Sequence, residues 1–232
     1  MRKIEFFPGE YYHIFNHGVD ERRIFLDEND FLRFLAGMAI FNDEKVSPYA
    51  LNQLIRNPEN LIELESFNNR ERLVEIISFT LLPTHYHLFV REKAERGISR
   101  FMHRLDKSYA RYFNLKNGRK GTLWQGKFGA KHINEESYFI HIISYIHLNI
   151  LDLYFPVWRE GQLKEDEWSQ AASKLADYPW SSYGFYRNGI GKIPFVNSIL
   201  TKPEWLDEYY PNLESFELNL HNWSSRFMDI VE

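Results

Sequence analysis

The 232-residue chain has no cysteine, which removes disulfides, thiolate nucleophiles and cysteine-ligated zinc from consideration. Any metal it binds must be held by nitrogen and oxygen. Nowhere do eighteen apolar residues run together, and the basic N-terminal stretch up to Pro8 has no apolar core of useful length. The expectation is a soluble, cytoplasmic protein that stays out of the membrane. Internal repeats and low-complexity runs are also missing. Acids are nearly missing from one stretch: between Ser99 and His132 there are nine Lys or Arg and a single acid, Asp106. The chain as a whole carries a net charge of −4, so its positive field is local.

Aromatic residues are what the chain has in plenty. With 19 Phe, 14 Tyr and 6 Trp the composition favours a packed globule over disorder. Tyr11 to His17 reads as a first strand, and 27–42 as an amphipathic helix with Phe31, Phe34, Leu35 and Met38 on one face. Residues 43–70, with Pro48, Pro58 and several Asn, read as an irregular insertion holding one or two helical turns. Leu73–Leu82 and His85–Arg91 form a hairpin across Pro83-Thr84. A helix follows over about 98–115, a fourth strand over 127–133, and a helix from Glu135 or Glu136 to about Asn149 or beyond. Further helices are expected over 165–176 and 205–210. This order implies an α+β fold, an antiparallel ferredoxin-like (RRM-like) sheet covered by helices, with a helical or irregular C-terminal extension. The expected division is a main domain over 8–155, interrupted at about 43–70, and an extension over 156–232 packed on it.

His85 and His87 stand two apart on a strand and therefore project from the same face. A His-x-His pair is half of a metal site; taken alone, it also fits two half-buried strand histidines bonded to backbone. Tyr145 and Asn149 lie one turn apart on one helix face, where each also has an ordinary reading as core residue and helix cap. Arg100, Arg104, Lys107 and Arg111 recur at i, i+4, i+7 and i+11, so four cations share one side of a helix, a candidate phosphate-binding face. Lys116, Arg119, Lys120, Lys127 and Lys131 extend that surface. The remaining seven histidines are read as structural or surface residues, with His13 and His17 placed near the first strand, where they can approach a bound phosphate chain.

Tyr12-His13-Ile14-Phe15-Asn16, Leu82-Pro83-Thr84-His85-Tyr86-His87, Leu123-Trp124-Gln125-Gly126-Lys127-Phe128 and Tyr145-Ile146-His147-Leu148-Asn149, followed by Trp180-Ser181-Ser182-Tyr183, carry a resemblance. In that order they resemble the single-tyrosine HUH transposases of insertion sequences, and among these the REP-associated tyrosine transposases. The resemblance implies Tyr145 as nucleophile, His85, His87 and Asn149 as ligands of Mg²⁺ or Mn²⁺, and single-stranded DNA hairpins as partners, cut through a 5′-phosphotyrosine and rejoined. Imidazole ligation leans towards Mn²⁺, and availability towards Mg²⁺. Thr84 stands where such proteins often have Asn, and Ile150 where they often have Pro. A non-cleaving DNA or RNA hairpin-binding protein descended from such enzymes is the alternative. A small-molecule metallohydrolase is disfavoured by the basic helix. A monomer is favoured and a homodimer possible.

Overall fold

The computed structural model describes residues 4–46, 71–155, 158–160, 163, 165–189, 192–193 and 195–224. The helical turns expected within the 43–70 insertion fall outside the described residues. Strand β1 (Tyr11–His17) is followed by helix α1 (Glu28–Phe41), strands β2 (Val74–Leu82) and β3 (His85–Glu92), helix α2 (Gly97–Lys116), strand β4 (Gly129–Ile133) and helix α3 (Ser137–Leu148). The four strands form one antiparallel sheet in the order β2-β3-β1-β4. This is the α+β arrangement that the element order implies.

Alternation along β1 and β3 decides which side of the sheet each residue serves. Tyr12, Ile14, Tyr86, Leu88 and Val90 face α1 and α2, where they pack with Phe34, Met38, Phe101, Leu105 and Tyr109. Helix α1 is opened by Asp27, whose side chain accepts from the Asp30 amide. Asp30 itself is fully buried, yet its carboxylate takes the Leu26 amide at 2.8 Å, the Tyr112 hydroxyl at 2.9 Å and Lys116 Nζ at 2.6 Å. A buried carboxylate so surrounded is tolerated because its lone pairs are occupied.

Helix α3 covers the opposite side, together with α4 (Glu165–Asp177), α5 (Tyr183–Asn188), α7 (Leu206–Tyr209) and α8 (Leu213–Ser224), while α6 (Val196–Ile199) packs on the α1 side. Ile142, Ile143 and Ile146 of α3 share a core there with Trp158, Leu175, Phe216 and Leu220, whereas α6 adds Val196 and Ile199 to the first core. The aromatic turn at Trp180 fastens this region to the sheet. Leu81 N donates to Trp180 O at 2.9 Å and Ser182 N to Phe79 O at 3.0 Å, and further along Thr201 N donates to Ile76 O at 2.8 Å. Both segments lie along the outer edge of β2.

Three details depart from the expected elements. The fourth strand begins at Gly129, not at 127, and the α-helical part of α3 ends at Leu148, after which Asn149–Leu153 continues as 3-10 helix. Gly129 is where β4 crosses the Phe15 ring so closely that an added Cβ would lie 2.4 Å from it, which restricts the position to glycine. Helices α5, α6 and α8 were not anticipated. In α8 the buried apolar residues are Phe216 and Leu220, while Leu213 and Leu218 are exposed, so its apolar pattern is blurred.

Candidate active site

The register of β1 against β3 pairs Phe15 with His87 and His17 with His85. Residues opposite one another in an antiparallel pair point to the same face, so His13, His17, His85 and His87 converge on the side covered by α3. His13 Nε2 and His87 Nδ1 are 3.0 Å apart in a hydrogen bond. The His17 and His85 rings stack at 4.7 Å, and His85 Nδ1 meets Thr84 Oγ1 at 2.8 Å. Thus Thr84 orients the His85 ring, and His13 orients that of His87.

Burial sets their charge. His85 is pushed down to about 3, chiefly by burial and then by His17, and His13 to about 3 by burial and then by Lys131. His87 is lowered well below the ordinary histidine value by burial first and by its neighbours His85 and His13 second. Neutral imidazoles are what metal ligation requires, because the lone pair must be unprotonated.

Tyr145 comes down from α3 onto this cluster. Its ring centroid lies 5.5 Å from that of His87 and 5.7 Å from that of His13, edge-on to both. Asn149, one turn on and fully buried, donates from Nδ2 to Tyr145 O at 2.6 Å and accepts at Oδ1 from Arg159 Nη2 at 2.6 Å. Arg159 also donates from Nε to Asp152 Oδ1 at 2.9 Å and from Nη2 to Asp152 Oδ2 at 2.7 Å. Its Cζ stands 5.5 Å from the centre of the Tyr145 ring. Burial alone would lower the Arg159 pKa, but Asp152 and then the Tyr145 phenol, each hydrogen-bonded to it, raise it above the ordinary value.

The structure therefore brings together His85, His87, Tyr145 and Asn149, all nominated from sequence. It adds His13, His17, Asp152 and Arg159. No motif marked Arg159, ten positions beyond Asn149 in a 3-10 turn (Trp158–Glu160). Among the described residues no three of His, Asp or Glu are grouped as a metal site. The two strand imidazoles fit a nitrogen-ligated divalent ion. Ligation by Asn149 Oδ1 would require it to exchange Arg159 for the ion.

The basic residues are distributed differently. Helix α2 lies across the sheet from Tyr145, in the core on the other face. Arg100 pairs with Glu44 at 2.8 Å and Arg104 donates to Asp43 O at 2.7 Å, so both fasten α2 to the segment after α1. Arg119 bonds Asn114 Oδ1 at 2.9 Å and lies over the Phe113 ring. Lys107 and Arg111 are exposed and line a groove of about 820 Å³ with Arg104, Tyr112 and Leu115. Lys107 and Lys127 also border a hollow of about 680 Å³ with Phe6, Trp124 and Phe128. Lys120 is exposed in the loop after α2. Lys131 pairs with His13 in the β1–β4 register, which puts it on the histidine face.

The span from residue 56 to Asn149 matches the family model described as "Transposase IS200 like". Over that span the chain is similar to IS200-like transposases. The matched span contains the His-x-His pair, Tyr145 and Asn149 and ends on the last of these. Among solved structures the chain is similar to one described as a REP-associated tyrosine transposase bound to a REP hairpin. The identity is 16%, with 84% of this chain and 88% of that one covered, at a TM-score of 0.50. That likeness supports the fold. A tRNA(His) guanylyltransferase from Saccharomyces cerevisiae aligns at 12% identity over 88% of this chain and 86% of that one, with a TM-score of 0.33, too low to bear on the fold. No curated protein matches the chain, and among its described residues no helix is long and apolar enough to cross a membrane.

Proposed function

We propose that this protein cuts and rejoins single-stranded DNA beside hairpins, with Tyr145 as nucleophile. The observation that carries the reading is the seating of the Tyr145 ring against His87 and His13, with a charged arginine beside it. In the first step the phenol oxygen bonds to phosphorus and the P–O3′ bond breaks. The phenol releases its proton, the departing 3′ oxygen takes one up, and a 5′-phosphotyrosine and a free 3′-OH remain. Rejoining reverses these changes with a 3′-OH as attacking group.

His85 and His87 would hold Mg²⁺ or Mn²⁺, with Asn149 as a third ligand once released from Arg159. A divalent ion there would polarise the scissile phosphate and offset charge on its oxygens. His13 and Thr84 fix the two rings so that their remaining nitrogens stay oriented. The DNA hairpin is assigned as partner from the family match, from what the solved relative is described as binding, and from the exposed Lys107, Arg111, Lys120, Lys127 and Lys131. A monomer in the cytoplasm completes the reading.

One observation favours a second reading, a hairpin-binding protein that does not cleave. Tyr145 is only 3% exposed, and Asn149 Oδ1 is occupied by Arg159. Incubation with a panel of labelled single-stranded hairpins and Mn²⁺ separates the two. Cleavage gives a denaturant-stable protein–DNA adduct that Tyr145→Phe abolishes. Salt-sensitive binding with no adduct across the panel supports the second reading.

A further inference from the structure

Arg159 lies outside the span matched to the transposase family, yet it contacts three parts of the site at once. Its guanidinium meets the Asp152 carboxylate with two nitrogens, Nε at 2.9 Å and Nη2 at 2.7 Å. This two-pronged geometry is the one by which arginine takes a carboxylate or a phosphate. It also reaches Asn149 Oδ1 and the Tyr145 phenol. The turn that carries it is held firmly: Trp158 is fully buried, donates from Nε1 to Asp152 Oδ1 at 2.6 Å, and has the guanidinium 5.0 Å from its ring. The fork is thus pre-set beside the phenol, with an anion already in it.

We propose that Arg159 grips the scissile phosphate at Tyr145, and that Asp152 occupies the same fork until DNA arrives. This rests on the strand-cleavage reading above. The phosphoryl group that Tyr145 attacks must lie next to the phenol oxygen, within reach of a guanidinium already bonded to it. Asp152 keeps the arginine charged and oriented between substrates and yields to the phosphodiester monoanion of the backbone by exchange of one bidentate anion for another. Lys131, the cation on the same sheet face, sits beyond His13 on strand β4, across β1 from the strand that carries His85 and His87.

The test is a binding measurement in EDTA, which separates the phosphate contact from metal-dependent chemistry. Hairpins are prepared with one neutral methylphosphonate at each successive linkage of the single-stranded flank. The wild type should lose about tenfold in affinity at a single linkage, the worth of a charge-assisted contact. Arg159→Gln should bind the unmodified hairpin about tenfold more weakly and show no further loss at that linkage, because the two perturbations remove the same contact. Asp152→Asn, which weakens the resident anion, should bind the unmodified hairpin more tightly and keep the linkage sensitivity. A wild type that binds without a linkage-specific loss overturns the role of Arg159, as does a loss that Arg159→Gln retains or weaker binding by Asp152→Asn. Failure of the wild type to bind any hairpin overturns the strand-cleavage reading, and this role with it.

Discussion

Acid should unfold this protein partly through His147, a residue outside the proposed chemistry. His147 is fully buried between α3 and the Trp180 turn, with Nε2 2.7 Å from Ser182 Oγ and its ring 5.0 Å from Tyr186 and 5.7 Å from Phe216. Burial pushes its pKa down to about 3, whereas in the unfolded chain it returns to about 6.5. Between those values the unfolded state holds a proton that the folded state refuses, so stability is complete above about pH 6.5 and declines as pH falls towards 3. At about pH 5 the loss from one such histidine is about 2 kcal/mol, and it depends little on the folded value so long as that lies well below 5. His13 and His85 titrate in the same direction, so a substitution must isolate the share of His147. His147→Gln retains a donor for Ser182 and removes the titration. Urea unfolding followed by tryptophan fluorescence at neutral pH and at about pH 5 gives the acid-induced loss for each protein. That loss should be smaller in His147→Gln by about 2 kcal/mol, whatever constant packing cost the substitution adds. An equal loss in both proteins would refute the buried neutral imidazole.

Asn42, just beyond α1, accepts from Val74 N at 2.9 Å and donates to Val74 O at 2.8 Å, all buried. Asn42→Ala strands both backbone groups and should cost about 3 kcal/mol by urea unfolding. On α2 the cations should divide by their partners. Lys107→Ala with Arg111→Ala should lower hairpin affinity and reduce the log–log salt slope by about 2, measured by fluorescence anisotropy. Arg104→Ala should appear first as a lower melting temperature, because that side chain holds the Asp43 and Glu44 carbonyls.

The sheet was legible because its strands carry β-branched and aromatic residues between clear breaks, and His85 and His87 were legible because a strand repeats every two residues. Tyr145 and Asn149 were legible as neighbours through the helical period. What the chain order hides is register. His13 and His17 join the site because β1 pairs with β3 at one offset, which no local pattern states. Arg159 stands in a short 3-10 turn without periodicity, and what fixes where it points is tertiary: the buried Trp158 beside it and its bonds to Asp152 and Asn149. The basic stripe of α2 shows the reverse limit. Its spacing gives the side of the helix on which the charges lie, but the side of the sheet on which the helix lies is decided by packing.

The two backbone segments along the outer edge of β2 bear on synthesis. They close the sheet with residues 180–182 and 200–201, more than a hundred positions after β2 begins at Val74. A nascent chain that has already built its four strands still presents a bare strand edge until those residues leave the ribosome, and bare edges recruit other strands. A stop introduced before Trp180 would therefore yield a sticky product even though every strand is present. The last quarter of the sequence acts as the molecule's own edge guard, delivered late.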